Sequence, residues 1–405
     1  MTHRIVVLGA GYAGATVAGR LARRLHPDQT EITVVDASAD FVERVRLHEF
    51  AAGSELKRRA LRDVYAGTGV QVRLARVTGI DVEARTVALT GADGPDEIGY
   101  DTLVYALGSA SADHGVPGVA EHAYDVGSAR SALRLRERLT DLGAGGSVLV
   151  VGGGLTGLEA ATEIAEARPD LVVAIATRGG LGDWLDARAG QYLREVCDRL
   201  GITVHEHTDV SRVETTGVVT GTGEVIGAEV TVWSAGFAVS SLAATTGLQV
   251  APTGQIVVDA TMRSVSHPDV YAVGDAALAE GPGGKPLRMS CATGIPTGWQ
   301  AADAIVARLT GRPVRRIPIR YFNQCISLGR RDGIIQTVTA DDRAKATHLR
   351  GWLAARYKEI VCRGAAWAVF HPTLLVPFRR RRITSPATTV ERHARSVSSD
   401  VGGGH

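Results

Sequence analysis

Apolar runs stopped by glycine give most of this chain its rhythm. Ile5 to Leu8 leads straight into Gly9-Ala-Gly11-Tyr-Ala-Gly14, and small residues continue at helical spacing through Ala22. The pattern predicts a strand, a tight turn and a helix. Glu31 to Val35 predicts a second strand that ends at Asp36, and Phe41 to Gly53 reads as a helical stretch of alternating charge. Val70 to Leu74 and Arg85 to Leu89, with turn residues from Gly91 to Pro95, suggest a small meander. Tyr100 to Leu107 is an apolar strand that closes the sheet in a small-residue turn at Gly108. The opening pattern then returns. Ser147 to Val151 precedes Gly152-Gly-Gly154-Leu-Thr-Gly157 and a small-residue helix through Ala165, and Leu171 to Ala176 is a strand ending in Thr177-Arg178. Val230 to Trp233 echoes the earlier closing strand, with its turn at Gly236.

Further along, Gly254 to Asp259 predicts a strand, and Val270 to Val273 predicts another that delivers Gly274 and Asp275 to a helix start. Met289 to Gly298 reads as irregular because of its glycines and Pro296, becoming helical from Trp299 to Leu309. Beyond Pro313 the character changes, and Ile317 to Gly329 with Gly333 to Val338 reads as a hairpin. The apolar run 364–378, Arg379 to Arg382 and a polar tail expected to be disordered complete the chain. The fold class implied is α/β: two Rossmann-like dinucleotide-binding domains plus a smaller C-terminal α+β region. Residues 1–112 and 242–313 would form the first domain, 113–241 the second and 314–405 the third.

The two glycine turns carry chemistry because each stands between a strand and a helix. In the first, Gly9 permits the tight turn, Gly11 lets backbone approach a pyrophosphate, and Gly14 lets helix lie close on strand. The phosphates then meet the positive end of the helix dipole. Asp36 follows the last glycine by about twenty residues, where a carboxylate accepts bonds from a ribose hydroxyl. Gly152, Gly154 and Gly157 repeat the arrangement, so two dinucleotides are expected. No acid ends the strand that follows; Thr177 can hydrogen-bond a 2′-phosphate and Arg178 can meet it with a bidentate fork, a pattern suited to NADPH. Arg44, with Arg46 and His48, comes from the segment after the second strand, near the switch point where ligands bind in such sheets.

Length and composition narrow the classes. At 405 residues, two or three domains are expected, and 45% hydrophobic against 22% charged residues is ordinary for a globular protein. A net charge of +2 argues against a nucleic-acid partner. The first apolar run is already the nucleotide strand, so no leader is read and a cytoplasmic protein is expected. The four cysteines, 197, 291, 325 and 362, form no metal-ligand spacing and are expected to be reduced, with no metal site.

With both glycine units, the Gly274-Asp275 pair and the two small-residue strands in place, the chain resembles the flavoprotein oxidoreductases with two dinucleotide-binding domains, most closely the type II NADH dehydrogenase-like branch. The resemblance spans residues 1 to about 330. It implies FAD at Gly9, Gly11, Gly14, Asp36, Gly274 and Asp275, with Arg44, Gly108 and Gly236 joining the cofactor-binding set. It implies NADPH or NADH at Gly152, Gly154, Gly157, Thr177 and Arg178, and places Glu159 near the flavin and nicotinamide rings as the catalytic candidate. The chain departs from disulfide reductases in having no cysteine before 197, although Cys291 keeps a thiol role near the flavin open. It departs from type II dehydrogenases in carrying Pro296 and Thr297 where a glutamine pair is usual. The implied activity is hydride transfer from NAD(P)H to FAD and then electron transfer to a small-molecule acceptor, quinone-like or other. Two alternatives stay open: a soluble reductase for a small electron-transfer protein or biosynthetic intermediate, and a flavin-bound NAD(P)H sensor without fast turnover. The apolar run 365–378, flanked by Arg379 to Arg382, is too short to cross a bilayer, which takes about 20 apolar residues. Its Trp367, Phe370, Phe378 and four arginines suit peripheral contact with anionic membrane; packing on its own domains or a homodimer interface is the alternative.

Overall fold

Two five-stranded parallel sheets carry the glycine units. The first is ordered Val270–Ala272, Thr102–Tyr105, His3–Leu8, Thr30–Asp36, Gln71–Leu74, and the second Thr203–His205, Val172–Ala176, Ser147–Val151, Val230–Trp233, Ala123–Tyr124. Their central strands read as unbroken apolar runs because helices cover both faces. Register gathers the predicted residues. Leu8 stands level with Val35 and with Tyr105, so Gly9, Asp36 and Ala106 emerge together at one end of the first sheet. Val151 stands level with Ala176 and Trp233, which brings Gly152, Thr177 and Ser234 together in the second. A two-stranded antiparallel link, Ser109–Ser111 with Phe237–Val239, joins the units directly after the turns at Gly108 and Gly236. This computed structural model describes residues 2–314, 318–371, 373, 376 and 379–384. The tail expected to be disordered falls outside the described residues, as do Pro372, Leu374, Leu375, Pro377 and Phe378 of the apolar run.

The helices that shape the site are α1 (Tyr12–Arg24), α2 (Leu47–Ala51), α3 (Ala129–Asp141), α4 (Leu155–Ala167), α5 (Ala187–Arg199), α6 (Cys291–Leu309) and α7 (Trp352–Phe370). The helix expected over 41–53 shrinks to a 3-10 turn, Arg44–Arg46, followed by α2. The meander is Arg76–Asp81, Thr86–Gly91 and Gly94–Gly99, whereas Gln71–Leu74 is the edge strand of the first sheet. The strand expected over 254–259 is only Ile256–Val257. Asp275 sits on a 3-10 turn, Gly274–Ala276, and not at a helix start.

The segment expected to be irregular around Pro296 is helical from Cys291 onward. Close crossing explains it. Gly294 faces Ala13, and a Cβ on Gly298 would stand 2.8 Å from the Ala13 carbonyl oxygen, so these small residues seat α6 against α1. Thr297 adds a clamp, accepting from the Gly274 amide at 3.0 Å while its hydroxyl donates to the Thr293 carbonyl at 2.9 Å. That packing outweighs the local cost of an interior proline.

The third unit is a three-stranded antiparallel sheet, Asn323–Ser327, Gly333–Val338 and Ala344–Arg350, packed by α7. The hairpin matches expectation; the third strand, polar and exposed, and α7 itself were not legible. Residues 379–384 return to the first domain, where Arg381 bridges Leu25 and the Thr384 amide donates to the Leu309 carbonyl at 2.9 Å.

Candidate active site

A cleft of about 1900 Å³ runs between the carboxyl ends of the two parallel sheets. A site for one small molecule spans about 300–1,000 Å³, so this one has room for two extended cofactors. Gly9, Gly11, Asp36, Arg44, Gly108, Gly152, Gly154, Glu159, Thr177, Arg178, Gly236, Gly274 and Asp275 all line it. Gly14 and Gly157 do not; they work behind it. A Cβ on Gly14 would fall on the Gly9 carbonyl oxygen, and one on Gly157 on that of Gly152. Gly11 and Gly154 differ, for a Cβ there meets no protein atom within 4 Å and would project into open space.

The first unit fits a dinucleotide on its own geometry. Gly11 is the N-cap of α1 in an extended conformation with no side-chain cap, so the first-turn amides are left to face the cleft. Asp36 accepts from the Ala10 amide at 2.7 Å and the Ser38 amide at 2.8 Å, which fixes its carboxylate beside the turn. Asp275 accepts from the Ser109 hydroxyl at 2.6 Å and from Arg44 Nη1 at 3.4 Å. Arg44 Nη2 is buried without a partner, a donor awaiting an acceptor inside the cleft. These features match what FAD offers: a pyrophosphate for the α1 amides, ribose hydroxyls for Asp36 and polar flavin-side oxygens for Arg44.

The second unit repeats the uncapped helix start, with Gly154 as N-cap of α4. Thr177 is buried beneath the turn, against the position a Cβ on Gly153 would take. Arg178 is not free, as the sequence suggested. Its Nε donates to Asp209 Oδ1 at 3.0 Å, and Asp209, which no sequence pattern marked, also lines the cleft.

Glu159 lies where the two units meet, in a buried cluster. Its carboxylate takes a hydrogen bond from Lys358 Nζ and another from the Ser327 amide at 3.2 Å, and His48 Nδ1 stands 3.9 Å away. Lys358 comes from α7 and lines the cleft together with His48. Burial pulls the Lys358 ammonium down to about 8, against the opposing influence of Cys362 and Glu49, and pulls His48 well below its ordinary value, so His48 is neutral. Arg46, expected beside Arg44 at the pocket, instead faces away and pairs with Glu49 and Glu359, each at 3.1 Å. Arg330 extends that network to Glu49 at 2.7 Å and to Glu163 at 3.9 Å. Burial raises the Glu163 carboxyl to about 7.

All four cysteines are free thiols. Cys291, Cys325 and Cys362 line the cleft, but burial raises each, Cys325 to about 12 and Cys362 to about 11, so all three are protonated. Among the described residues no cluster suited to a metal ion occurs.

Comparison with known proteins agrees with this geometry. The sequence profile of the pyridine nucleotide-disulphide oxidoreductase family matches residues 3–304. An NADH dehydrogenase-like protein of Mycobacterium tuberculosis is 30% identical over 387 residues, covering 89% of this chain and 90% of that one. A type II NADH:quinone oxidoreductase of Haemophilus influenzae is 26% identical, covering 80% and 84%. Among solved structures, the sulfide:quinone oxidoreductase of Aquifex aeolicus superposes with a TM-score of 0.78 at 19% identity, covering 93% of this chain and 94% of that one. NDH2 of Plasmodium falciparum, solved with NADH, gives 0.77 at 13% identity, covering 94% and 99%. The family profile runs through both glycine units and the Gly274-Asp275 turn, and on that ground the chain belongs to the pyridine nucleotide-disulphide oxidoreductases, as an FAD-dependent NAD(P)H oxidoreductase of the NADH dehydrogenase-like kind.

Proposed function

We propose that this enzyme passes electrons from NAD(P)H through FAD to a quinone-type small molecule. In this reading residues 1–112 and 242–313 hold FAD through Gly9, Gly11, Gly14, Asp36, Arg44, Gly108, Gly236, Gly274 and Asp275. Residues 113–241 hold the nicotinamide cofactor through Gly152, Gly154, Gly157, Thr177 and Arg178, and residues 314–405 form the acceptor side. FAD bound there would supply the redox chemistry.

The observation that carries the acceptor class is the Glu159–Lys358 pair beside an apolar wall. Ile295 and Pro296 from α6, with Val361, Cys362 and Ala365 from α7, line the same cleft as Lys358. An apolar ring with polar oxygens suits such a wall, and its reduction consumes protons as well as electrons. Lys358 is a buried ammonium lowered toward neutrality, suited to give a proton to a reduced oxygen, and Glu159 holds it in place. Two relatives support the class by name, the Haemophilus enzyme and a demethylphylloquinone reductase of Synechocystis that is 26% identical. Pro296 and Thr297 in place of glutamines leave α6 without side-chain amides there, so recognition of the ring oxygens falls to α7.

We place the enzyme in the cytoplasm, peripheral on the inner face of the membrane. No helix among the described residues is long and apolar enough to cross a bilayer. The contact surface, however, shifts from the run first suspected. Phe370 packs edge-on to Phe41 at 5.4 Å and lies under Arg59, so it belongs to the core. Upstream, α7 exposes Trp352, Leu353, Tyr357 and Ile360, and Trp367 and Phe322 are exposed as well. Rapid-mixing kinetics tests the whole reading: NAD(P)H should bleach the flavin, and a membrane quinone analogue should restore its colour faster than oxygen or a ferredoxin does. Fast reoxidation by ferredoxin alone would make it a soluble reductase, and slow reoxidation by every acceptor would make it a sensor.

A further inference from the structure

The second glycine unit looks, from its strand end, like a site for a 2′-phosphate. Thr177 and Arg178 occupy the place where an acid would select a free ribose hydroxyl. The fold supplies that acid from elsewhere. The neighbouring strand, Thr203–His205, lies parallel to Val172–Ala176, and backbone bonds tie the two loops that leave them: the Thr177 amide donates to the His205 carbonyl and the Thr208 amide to the Thr177 carbonyl, both at 2.9 Å. The Gly221 amide fixes the next residue, donating to the Asp209 carbonyl at 2.7 Å. Asp209 is thus built into position beside Arg178, 3.0 Å from its Nε, and both side chains face the cleft.

We infer that Asp209 sets the choice of nicotinamide cofactor, turning a strand end of NADP type into a site that takes NADH at least as well as NADPH. The inference rests on the placement of NAD(P)H at the second glycine unit. The carboxylate acts in two ways. It accepts a bond from a free 2′-hydroxyl, as an acid at the strand end would, and it holds the Nε edge of the guanidinium that a 2′-phosphate needs. A 2′-phosphate carries close to two negative charges at neutral pH. To pair with Arg178 it must compete with the Asp209 carboxylate or stay within a few ångströms of it, and either weakens the contact. On this inference the NADPH preference expected from Thr177 and Arg178 is cancelled by Asp209.

Adenosine 5′-diphosphate and adenosine 2′,5′-bisphosphate probe the site without any turnover, and flavin-loaded protein keeps the first glycine unit occupied. Titration calorimetry on the wild type should show the 5′-diphosphate binding at least as tightly as the 2′,5′-bisphosphate. Asp209→Asn keeps the shape and removes the charge, and Asp209 is exposed enough that folding is untouched; it should tighten the 2′,5′-bisphosphate about tenfold and weaken the 5′-diphosphate. Arg178→Gln added to Asp209→Asn should abolish the gain. A wild type that favours the 2′,5′-bisphosphate tenfold, or an Asp209→Asn protein with an unchanged ratio, overturns the inference while leaving the cofactor placement intact. If neither probe binds the wild type, the placement itself falls and the inference with it.

Discussion

Replacing Lys358 by methionine tests the centre of the site most directly. The ammonium is one of two hydrogen-bond donors to the Glu159 carboxylate, the other being the Ser327 amide, and both partners of the pair are about nine-tenths buried. Methionine fills the same volume but strands the carboxylate, and breaking a buried pair from one side costs about 3–5 kcal/mol. The carboxyl can escape by taking a proton. Protonating an ordinary carboxyl at about pH 7 costs near ~4 kcal/mol, which sets the ceiling at neutral pH. The sign follows: a carboxyl whose folded value is raised contributes stability below its unfolded value and loses it as pH rises. The deficit of Lys358→Met should therefore be small near pH 4.5 and grow by about 1.4 kcal/mol per pH unit up to neutrality.

The assay is thermal unfolding of flavin-saturated protein from about pH 5 to about pH 7, where wild-type Lys358 still mostly keeps its proton. At neutral pH the variant should melt on the order of 10 °C lower than wild type. Adding Glu159→Gln should recover most of the loss, because a neutral, apolar-flanked amide replaces the orphan charge. Turnover with a quinone should fall about a hundredfold in Lys358→Met while flavin reduction by NADH changes little. A deficit that is flat with pH, or a double variant no more stable than the single one, would refute the account of Glu159 as a buried carboxylate held charged by Lys358.

Three further outcomes follow from the geometry. Gly11→Val should fold normally, because its Cβ meets no protein atom and its φ is −66°, yet purify without FAD; Gly14→Ala should instead lose stability by 1–3 kcal/mol or more, since its Cβ falls on the Gly9 carbonyl, and comparing flavin content with melting temperature separates the two. Glu163, raised to about 7 by burial, contributes stability that is lost as pH rises from about 4.5 to about 7, so Glu163→Gln should flatten the stability profile across that window by up to about 3 kcal/mol, read by urea unfolding at several pH values. Ile360, 70% exposed on α7, should lose about 1.5–3 kcal/mol of vesicle binding when changed to Asp, measured by flotation with anionic liposomes, with unchanged flotation pointing to a second copy of the chain as the occupant of that face.

What could be read from the sequence was local. A strand, a glycine turn and a helix are contiguous, and parallel register then carries Gly9 to Asp36 and Gly152 to Thr177 without further information. Lys358 and Asp209 were illegible for the opposite reason. Lys358 reaches Glu159 across 199 positions and Asp209 reaches Arg178 from the next strand's loop, so neither partner carries a mark in its own neighbourhood. Arg44 and Arg46 show how fine the ambiguity is: two residues apart on one 3-10 turn, one enters the cleft and the other an ion-pair network behind it.

The C-terminal helix inverts the usual burial pattern. A helix on a core is expected to bury its large apolar residues, which would place Trp352, Tyr357, Ile360 and Trp367 inside. In α7 the buried stripe is Ala354, Lys358, Cys362, Ala366 and Val369, at spacings of four and then three, and the large side chains face outward. Small residues on the inner face let the helix axis come close to the cleft, and only a close axis lets a lysine stem deliver its ammonium to Glu159 while staying buried. The same choice leaves the bulky residues unpartnered on the outer face. A chain that kept those residues exposed without use would carry an aggregation liability, so the inward lysine and the outward aromatic face are best understood as two consequences of one placement: α7 closes the acceptor side of the cleft with one face and offers an apolar contact surface with the other.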